Sequence, residues 1–381
     1  MELLVDLKKE LDELDREGLR RRLPPIEALE GPRLKIRGRW LLNLASNDYL
    51  GLAQEISSEE ATVLAQKIGA GAARLLSGNH PLYILLEKEL ERLYSRPALV
   101  FSSGYLANLA IISTLCGPKD VVFADKLVHA SLIDGLRLSG AHFHRYAHLD
   151  LDHLERLLQK HRHRYRRALI VTESVFSMDG DVPDLHGLIA LKRRYEALLL
   201  VDEAHAVGVF GKRGLGVGEE LGVLSEIDLL LGTFGKALGS YGAFLITWPE
   251  IKDYLVTKAR PFIFTTALPP LVVAASYLGL KRAIESPQKR RRLRALARWF
   301  REKLEDLRED FSVETPIVPF LVGENEKALL LAKRLFEAGF YAPAIRPPTV
   351  PPGTARLRLS LRADLSERDL APVFSLLMEP L

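Results

Sequence analysis

Short, largely apolar runs alternate with helical patterns through the middle of this chain. Residues 98–101, 121–124, 168–173, 197–202 and 227–231 are runs of this kind, each bounded by polar or turn-forming positions. Runs so short, with little polar alternation, suit strands covered on both faces. Between them, residues 105–115, 132–139 and 185–195 carry apolar side chains at helical spacing. Residues 81–94 do the same, with Leu82, Leu85, Leu86, Leu90 and Leu93 on one side and charges opposite. Strand and helix in turn predict an α/β fold, a mostly parallel central sheet wrapped by helices.

The ends of the chain read differently. Residues 1–22 form an amphipathic helical pattern, with Leu3, Leu4, Leu7, Leu11 and Leu14 on one side, ended by Pro24-Pro25. The stretch lacks the basic start and apolar core of a secretion signal. No apolar run is long enough to span a membrane. Residues 40–45 predict a short strand and 46–51 a loop. Residues 271–284 predict a long linking helix, with the basic stretch 289–298 continuing as helix, its charges on the wet face. Strands and helices mix from Phe311 onward. Residues 350–361 alternate, Leu357, Leu359 and Leu361 against Arg356, Arg358 and Ser360, the pattern of a half-buried strand. The predicted division is an N-terminal helix and arm (1–45), a large domain (46–275) and a smaller α+β C-terminal domain (276–381).

Composition narrows the function classes. With 381 residues, 48% of them hydrophobic, the chain can bury a large core. Its net charge is only +4, so acids and bases nearly balance and no nucleic-acid partner is expected. Cys116 is the single cysteine, which leaves no intrachain disulfide and no cysteine metal site; a reducing cytoplasm is the expected compartment. The basic run His161-Arg162-His163-Arg164-Tyr165-Arg166-Arg167 reads as a solvated helix end before a strand rather than as a metal or nucleic-acid site.

The candidate chemistry gathers where strands end. Lys236 lies in Thr233-Phe234-Gly235-Lys236-Ala237-Leu238-Gly239, directly after an apolar strand. A lysine taken out of water has a lowered pKa, and its free amine can attack a carbonyl to form a Schiff base. Asp202 closes the run before Glu203-Ala204-His205. The carboxyl ends of parallel strands face the ligand crevice, so Asp202 and His205 are expected beside Lys236. A carboxylate there can keep a heterocyclic nitrogen protonated. The same Asp-Glu-Ala-His tetrapeptide occurs in helicases, but no Gly-x-x-x-x-Gly-Lys-Ser/Thr loop accompanies it here. Ser102-Ser103-Gly104-Tyr105 opens a helix and offers free backbone N–H groups, a cradle for phosphate. Thr233 adds a hydroxyl near Lys236. His129 follows a strand and could stack on a flat aromatic cofactor. Ser177 follows another and could donate to a phenolic oxygen.

Six segments together resemble the α-oxoamine synthases among the fold-type I pyridoxal-phosphate enzymes. They are Ser-Asn-Asp-Tyr-Leu-Gly-Leu (46–52), Ser-Gly-Tyr-Leu-Ala-Asn (103–108), Val-Phe-Ser-Met-Asp-Gly-Asp (175–181), Asp-Glu-Ala-His (202–205), Thr-Phe-Gly-Lys-Ala-Leu-Gly (233–239) and Phe-Thr-Thr-Ala-Leu-Pro-Pro (264–270). The resemblance implies pyridoxal 5'-phosphate as cofactor, bound through Lys236. It implies Asp202 at the ring nitrogen, Ser177 and His205 at the phenolic oxygen, and His129 stacked on the ring. Gly104, Tyr105 and Thr233 would hold the phosphate, with Thr265 or Thr266 supplied by a second copy in a homodimer.

Leu19-Arg20-Arg21-Arg22 and Ile345-Arg346-Pro347-Pro348-Thr349-Val350-Pro351 resemble the members that join L-alanine to a pimeloyl thioester, of coenzyme A or of an acyl-carrier protein, in biotin synthesis. Arg20, Asn47, Arg346 and Thr349 would then face substrate or product. Sibling members use glycine and acetyl-CoA, and this alternative stays open. So do a non-catalytic relative and an aminotransferase of the same fold. One departure is visible: Tyr83 stands where family members often carry histidine, a change that bears on the acyl-thioester channel.

Overall fold

A computed structural model describes residues 2–305 and 314–379. Contacts gather the chain into two units. One comprises Leu50–Ser177 and Asp181–Arg291, the other Met1–Tyr49, Met178–Gly180 and Arg292–Leu381.

The first unit is built on a seven-stranded sheet. Its strands are β1 (Ala98–Phe101), β2 (Val121–Asp125), β3 (His142–Tyr146), β4 (Ala168–Glu173), β5 (Leu198–Asp202), β6 (Leu229–Thr233) and β7 (Ala243–Ile246). They lie in the order β1-β7-β6-β5-β4-β2-β3. Only β7 runs against its neighbours, antiparallel to both β1 and β6. The sheet is therefore mostly parallel, as the apolar runs predict, and the remaining strands end along one edge. Every residue of β1, β2, β4, β6 and β7 is buried, and all of β5 but Leu198. Helices α1 (Gly104–Leu115) and α2 (Ala130–Ser139) pack on one another over this sheet. Leu99, Phe101, Ile111, Ile112, Val122, Leu132, Leu136, Val171 and Leu200 belong to one buried cluster there. Gly135 permits the close crossing, since a Cβ at that position would lie 3.1 Å from the Asn108 carbonyl oxygen.

Several elements escape the apolar pattern. Strand β3 is the polar His-Phe-His-Arg-Tyr at the sheet edge, where one side needs no apolar cover. Strand β7 likewise escapes it, while the helix Leu151–His161 supplies the helix end expected ahead of the strand at Ala168. The helical stretches predicted over 271–284 and 289–298 are two separate helices, Pro270–Ile284 and Pro287–Glu305. Pro287 has no N–H to continue the first helix and suits the first turn of the next.

The second unit holds two small sheets. One joins Ile26–Glu30, Arg33–Ile36 and Arg39–Asn43 to Phe340–Tyr341. The other orders Ile317–Gly323, Ala355–Ser360 and Ala344–Ile345. Phe311, the expected start of this mixed region, falls outside the described residues. Ser366 and Asp369 form a reciprocal capping box that starts the helix Glu367–Met378. The expected half-buried strand is instead buried at every position of Ala355–Ser360. Its arginines do not face water: Arg356 pairs with Asp179, and Arg358 donates to the Ser360 hydroxyl (2.6 Å) and to Tyr49 (3.3 Å). The N-terminal helix is shorter than predicted, Glu2–Arg16, and none of its residues is buried.

Candidate active site

The lysine turn begins where β6 ends. The Thr233 hydroxyl donates to the Gly242 carbonyl (2.9 Å) and accepts from the Gly235 N–H (3.2 Å), fixing the chain as it leaves the sheet. The Gly239 N–H then closes the turn on the Lys236 carbonyl (2.9 Å). Gly239 has φ +66°, and a Cβ there would lie 2.5 Å from the Ala53 nitrogen, so only glycine fits. Lys236 is half-buried rather than buried as the apolar approach suggested, because the turn lifts it beyond the strand end.

Asp202 is the last residue of β5 and only 6% exposed. Its two oxygens accept from the Asn108 side-chain amide (2.9 Å) and the Ala204 backbone N–H (3.0 Å). Asn108 also donates to the Ser131 hydroxyl (3.0 Å), which lies 2.8 Å from His129 Nδ1. A polar chain thus links Asp202, Asn108, Ser131 and His129. His129 caps α2, its Nδ1 accepting from the Ser131 N–H (3.3 Å), which leaves the ring proton on Nε2. Lost hydration lowers the His129 pKa, the Lys236 ammonium adds to this, and Asp202 and Asp134 oppose it. The Tyr105 ring meets His129 edge-on at 6.2 Å, and its hydroxyl is bonded to Asp134. His205 is buried three residues past Asp202, and Ser177 is half-buried after β4.

The start of α1 supplies the third component. The Ser103 hydroxyl accepts from the Leu106 N–H (3.2 Å), while the first N–H groups of a helix have no partner within it. Beyond its own stretch of chain, no atom of the described residues lies within 4 Å of where a Gly104 Cβ would stand. The Ser102 hydroxyl is buried without a hydrogen-bond partner among the described residues. Open space, a helix N-terminus and an unpaired hydroxyl together suit an anion. Thr265 is half-buried and Thr266 exposed. Their segment is pinned by the Ala267 N–H on the Ala72 carbonyl (3.0 Å) and by the Leu268 N–H on the Tyr83 hydroxyl (2.6 Å). Tyr83 is buried beneath the Arg74 guanidinium, 4.0 Å from its ring centre, and burial pushes its pKa up to about 12. It therefore serves as a fixed support for this segment.

All cofactor-site candidates lie in the sheet-bearing unit: Gly104, Tyr105, His129, Ser177, Asp202, His205, Thr233, Lys236, Thr265 and Thr266. Arg20, Asn47, Arg346 and Thr349 lie in the other. There Arg20 pairs with Asp15 (2.6 Å) and Arg346 bonds the Gly18 carbonyl. Thr349 accepts from Arg21 (2.6 Å), and Asn47 accepts from the Tyr49 hydroxyl (3.2 Å). The residue reading missed Asn108, Ser131 and Glu173. Asn108 was detectable as the one amide on a mostly apolar helix, one turn after Gly104.

These donors fit pyridoxal phosphate: an anion cradle at Ser102–Tyr105, an anchored carboxylate for a ring nitrogen, and an amine for an aldehyde. Residues 39–376 match the family model of the class I and II aminotransferases. The chain belongs to this family of fold-type I pyridoxal-phosphate enzymes, and within it to the α-oxoamine synthases. It is 49% identical over 357 residues to the 8-amino-7-oxononanoate synthase of Chlorobaculum parvum, covering 91% of both chains. Its fold matches a serine palmitoyltransferase variant from S. paucimobilis with a bound PLP–myriocin aldimine (TM-score 0.90, 30% identity, 98% and 96% of the two chains). It also matches the 8-amino-7-oxononanoate synthase of Francisella tularensis (TM-score 0.77, 31% identity, 88% and 96%). Among the described residues no helix is long and apolar enough to cross a membrane.

Proposed function

We infer that this chain is an acyltransferase of biotin synthesis. It condenses L-alanine with a pimeloyl thioester, of coenzyme A or of an acyl-carrier protein, to give 8-amino-7-oxononanoate, carbon dioxide and free thiol. The observation that carries this reading is the placement of an anchored Asp202 and of Lys236 at one sheet edge, in a chain nearly half identical to synthases of that name.

Pyridoxal phosphate, when bound, supplies an electron sink for negative charge at the amino-acid Cα. In this reading Asp202 holds the proton on the ring nitrogen. Lys236 is the covalent anchor, and as a free amine it takes the Cα proton of alanine. His129 would cover the ring and orient the substrate carboxylate, while Ser177 and His205 would donate to the phenolic oxygen. Gly104, Tyr105 and Thr233 hold the phosphate with Thr265 or Thr266 of a second copy, which makes the working form a homodimer. Arg20, Asn47, Arg346 and Thr349 recognise substrate or product, an arginine fork suiting the terminal carboxylate of a pimeloyl chain. Residues 1–45, 46–275 and 276–381 serve as arm, cofactor-binding part and smaller C-terminal part, in the cytoplasm.

Thiol release tests the assignment. Alanine with pimeloyl-CoA is expected to liberate thiol, and Lys236→Ala to abolish it. Turnover of glycine with acetyl-CoA alone would make the chain a glycine C-acetyltransferase instead. A keto-acid product without thiol would make it an aminotransferase.

A further inference from the structure

Glu173 is the buried acid that this mechanism leaves unused. It ends β4 and is 3% exposed. In the parallel pairing of β4 with β5 its register partner is Asp202, so the two carboxyl side chains leave the same face of the sheet as neighbours. The backbone N–H of His129 faces the Glu173 carboxyl. One carboxyl oxygen, Oε1, is buried without a hydrogen-bond partner among the described residues. Asp202 differs: both of its oxygens accept hydrogen bonds, from Asn108 and Ala204.

Two adjacent buried carboxylates do not both ionise, because each raises the cost of charging the other. The partner with donors on both oxygens keeps the charge. The partner with a bare oxygen takes the proton, since an unpaired buried charge costs far more than a neutral acid. The surroundings agree. Burial and then Asp202 push the Glu173 pKa well above the usual carboxylate range, with Asp125 adding to this and Lys236 and the His129 N–H opposing.

We propose that Glu173 is a positioning residue that stays protonated beneath the cofactor site, fixing the His129 backbone and leaving Asp202 as the single anion of the pair. The proposal rests on the roles given above to Asp202 and His129, but the proton can be read without turnover.

Infrared difference spectra of the cofactor-loaded protein at neutral pH supply that reading. Wild type is expected to show a carboxylic-acid carbonyl band that Glu173→Gln removes. A glutamine keeps the acceptor for the His129 N–H and stays neutral. Glu173→Gln is therefore expected to hold kcat/KM within about twofold, with an unchanged pH dependence of the bound-cofactor absorbance. Glu173→Leu removes the acceptor and is expected to lose on the order of 100-fold, mainly through KM for the amino acid. Absence of the acid band would overturn the proposal, even if the leucine variant fails to fold. So would a glutamine variant as impaired as the leucine one, or a leucine variant with wild-type kinetics. Band loss in a protein that turns over no amino acid would uphold the protonated pair and count against the function.

Discussion

His148 is held between two acids, and removing its proton should weaken the protein in a defined pH window. Its Nδ1 lies 2.8 Å from Asp125 and its Nε2 2.7 Å from Asp181. The ring rests edge-on against Phe176 at 4.4 Å. Asp125 also accepts the backbone N–H groups of Leu127 (2.8 Å) and Leu149 (2.9 Å), while the Asp181 carbonyl accepts from the Phe176 N–H (3.0 Å). The imidazolium therefore ties the turn leading to His129 to the loop that follows Ser177. Burial alone would lower its pKa, but the two carboxylates prevail and raise it to about 10. Against an unfolded value of about 6.5, this corresponds to at most about 5 kcal/mol. The side chain is 22% exposed. Solvent screening then leaves about 2–3 kcal/mol. The folded pKa is the higher one, so the stabilisation is fully present below pH ~6.5 and is lost as pH rises toward 10. Urea unfolding of wild type and His148→Gln at pH 7 and pH 10 measures it. The gap between the two proteins is expected to narrow by about 1.5–2 kcal/mol at the higher pH, since part of the stabilisation is already lost at pH 7 and part remains at pH 10. A gap that stays constant or widens would refute the reasoning.

Two further substitutions probe the supports of the site. Asn108→Ala takes a donor from ionised Asp202, a loss of about 1.5–3 kcal/mol. It is expected to lower kcat about 10- to 100-fold and to shift the pH dependence of cofactor absorbance, and an unshifted profile would count against it. Tyr83→Phe strands the Leu268 N–H, costing about 1–3 kcal/mol. Thermal melting should fall and cofactor release quicken; melting equal to wild type would show that the segment at Thr265 needs no such support.

Much of the sheet-bearing unit is legible in the chain. Strands buried on both faces are apolar along most of their length, so β1, β2, β4 and β5 declare themselves, and their carboxyl ends name Asp202, His129 and Ser177 as site candidates. The lysine turn is legible too, because Gly235 and Gly239 mark where the backbone must bend. Strand β3 is not, since an edge strand with a wet side can be polar.

Tertiary structure decided the rest. Arg356 and Arg358 alternate with leucines as a half-exposed strand would, yet Asp179, Tyr49 and Ser360 satisfy them in the interior. Periodicity reports polarity, and only the fold supplies a polar partner. Asn108 lies 94 positions before Asp202, and Glu173 meets the same aspartate only because β4 and β5 pair in register. Local sequence sets which side chains a strand or helix can carry. Which buried acid receives donors, and which must keep a proton, depends on neighbours that only chain folding brings within hydrogen-bond reach.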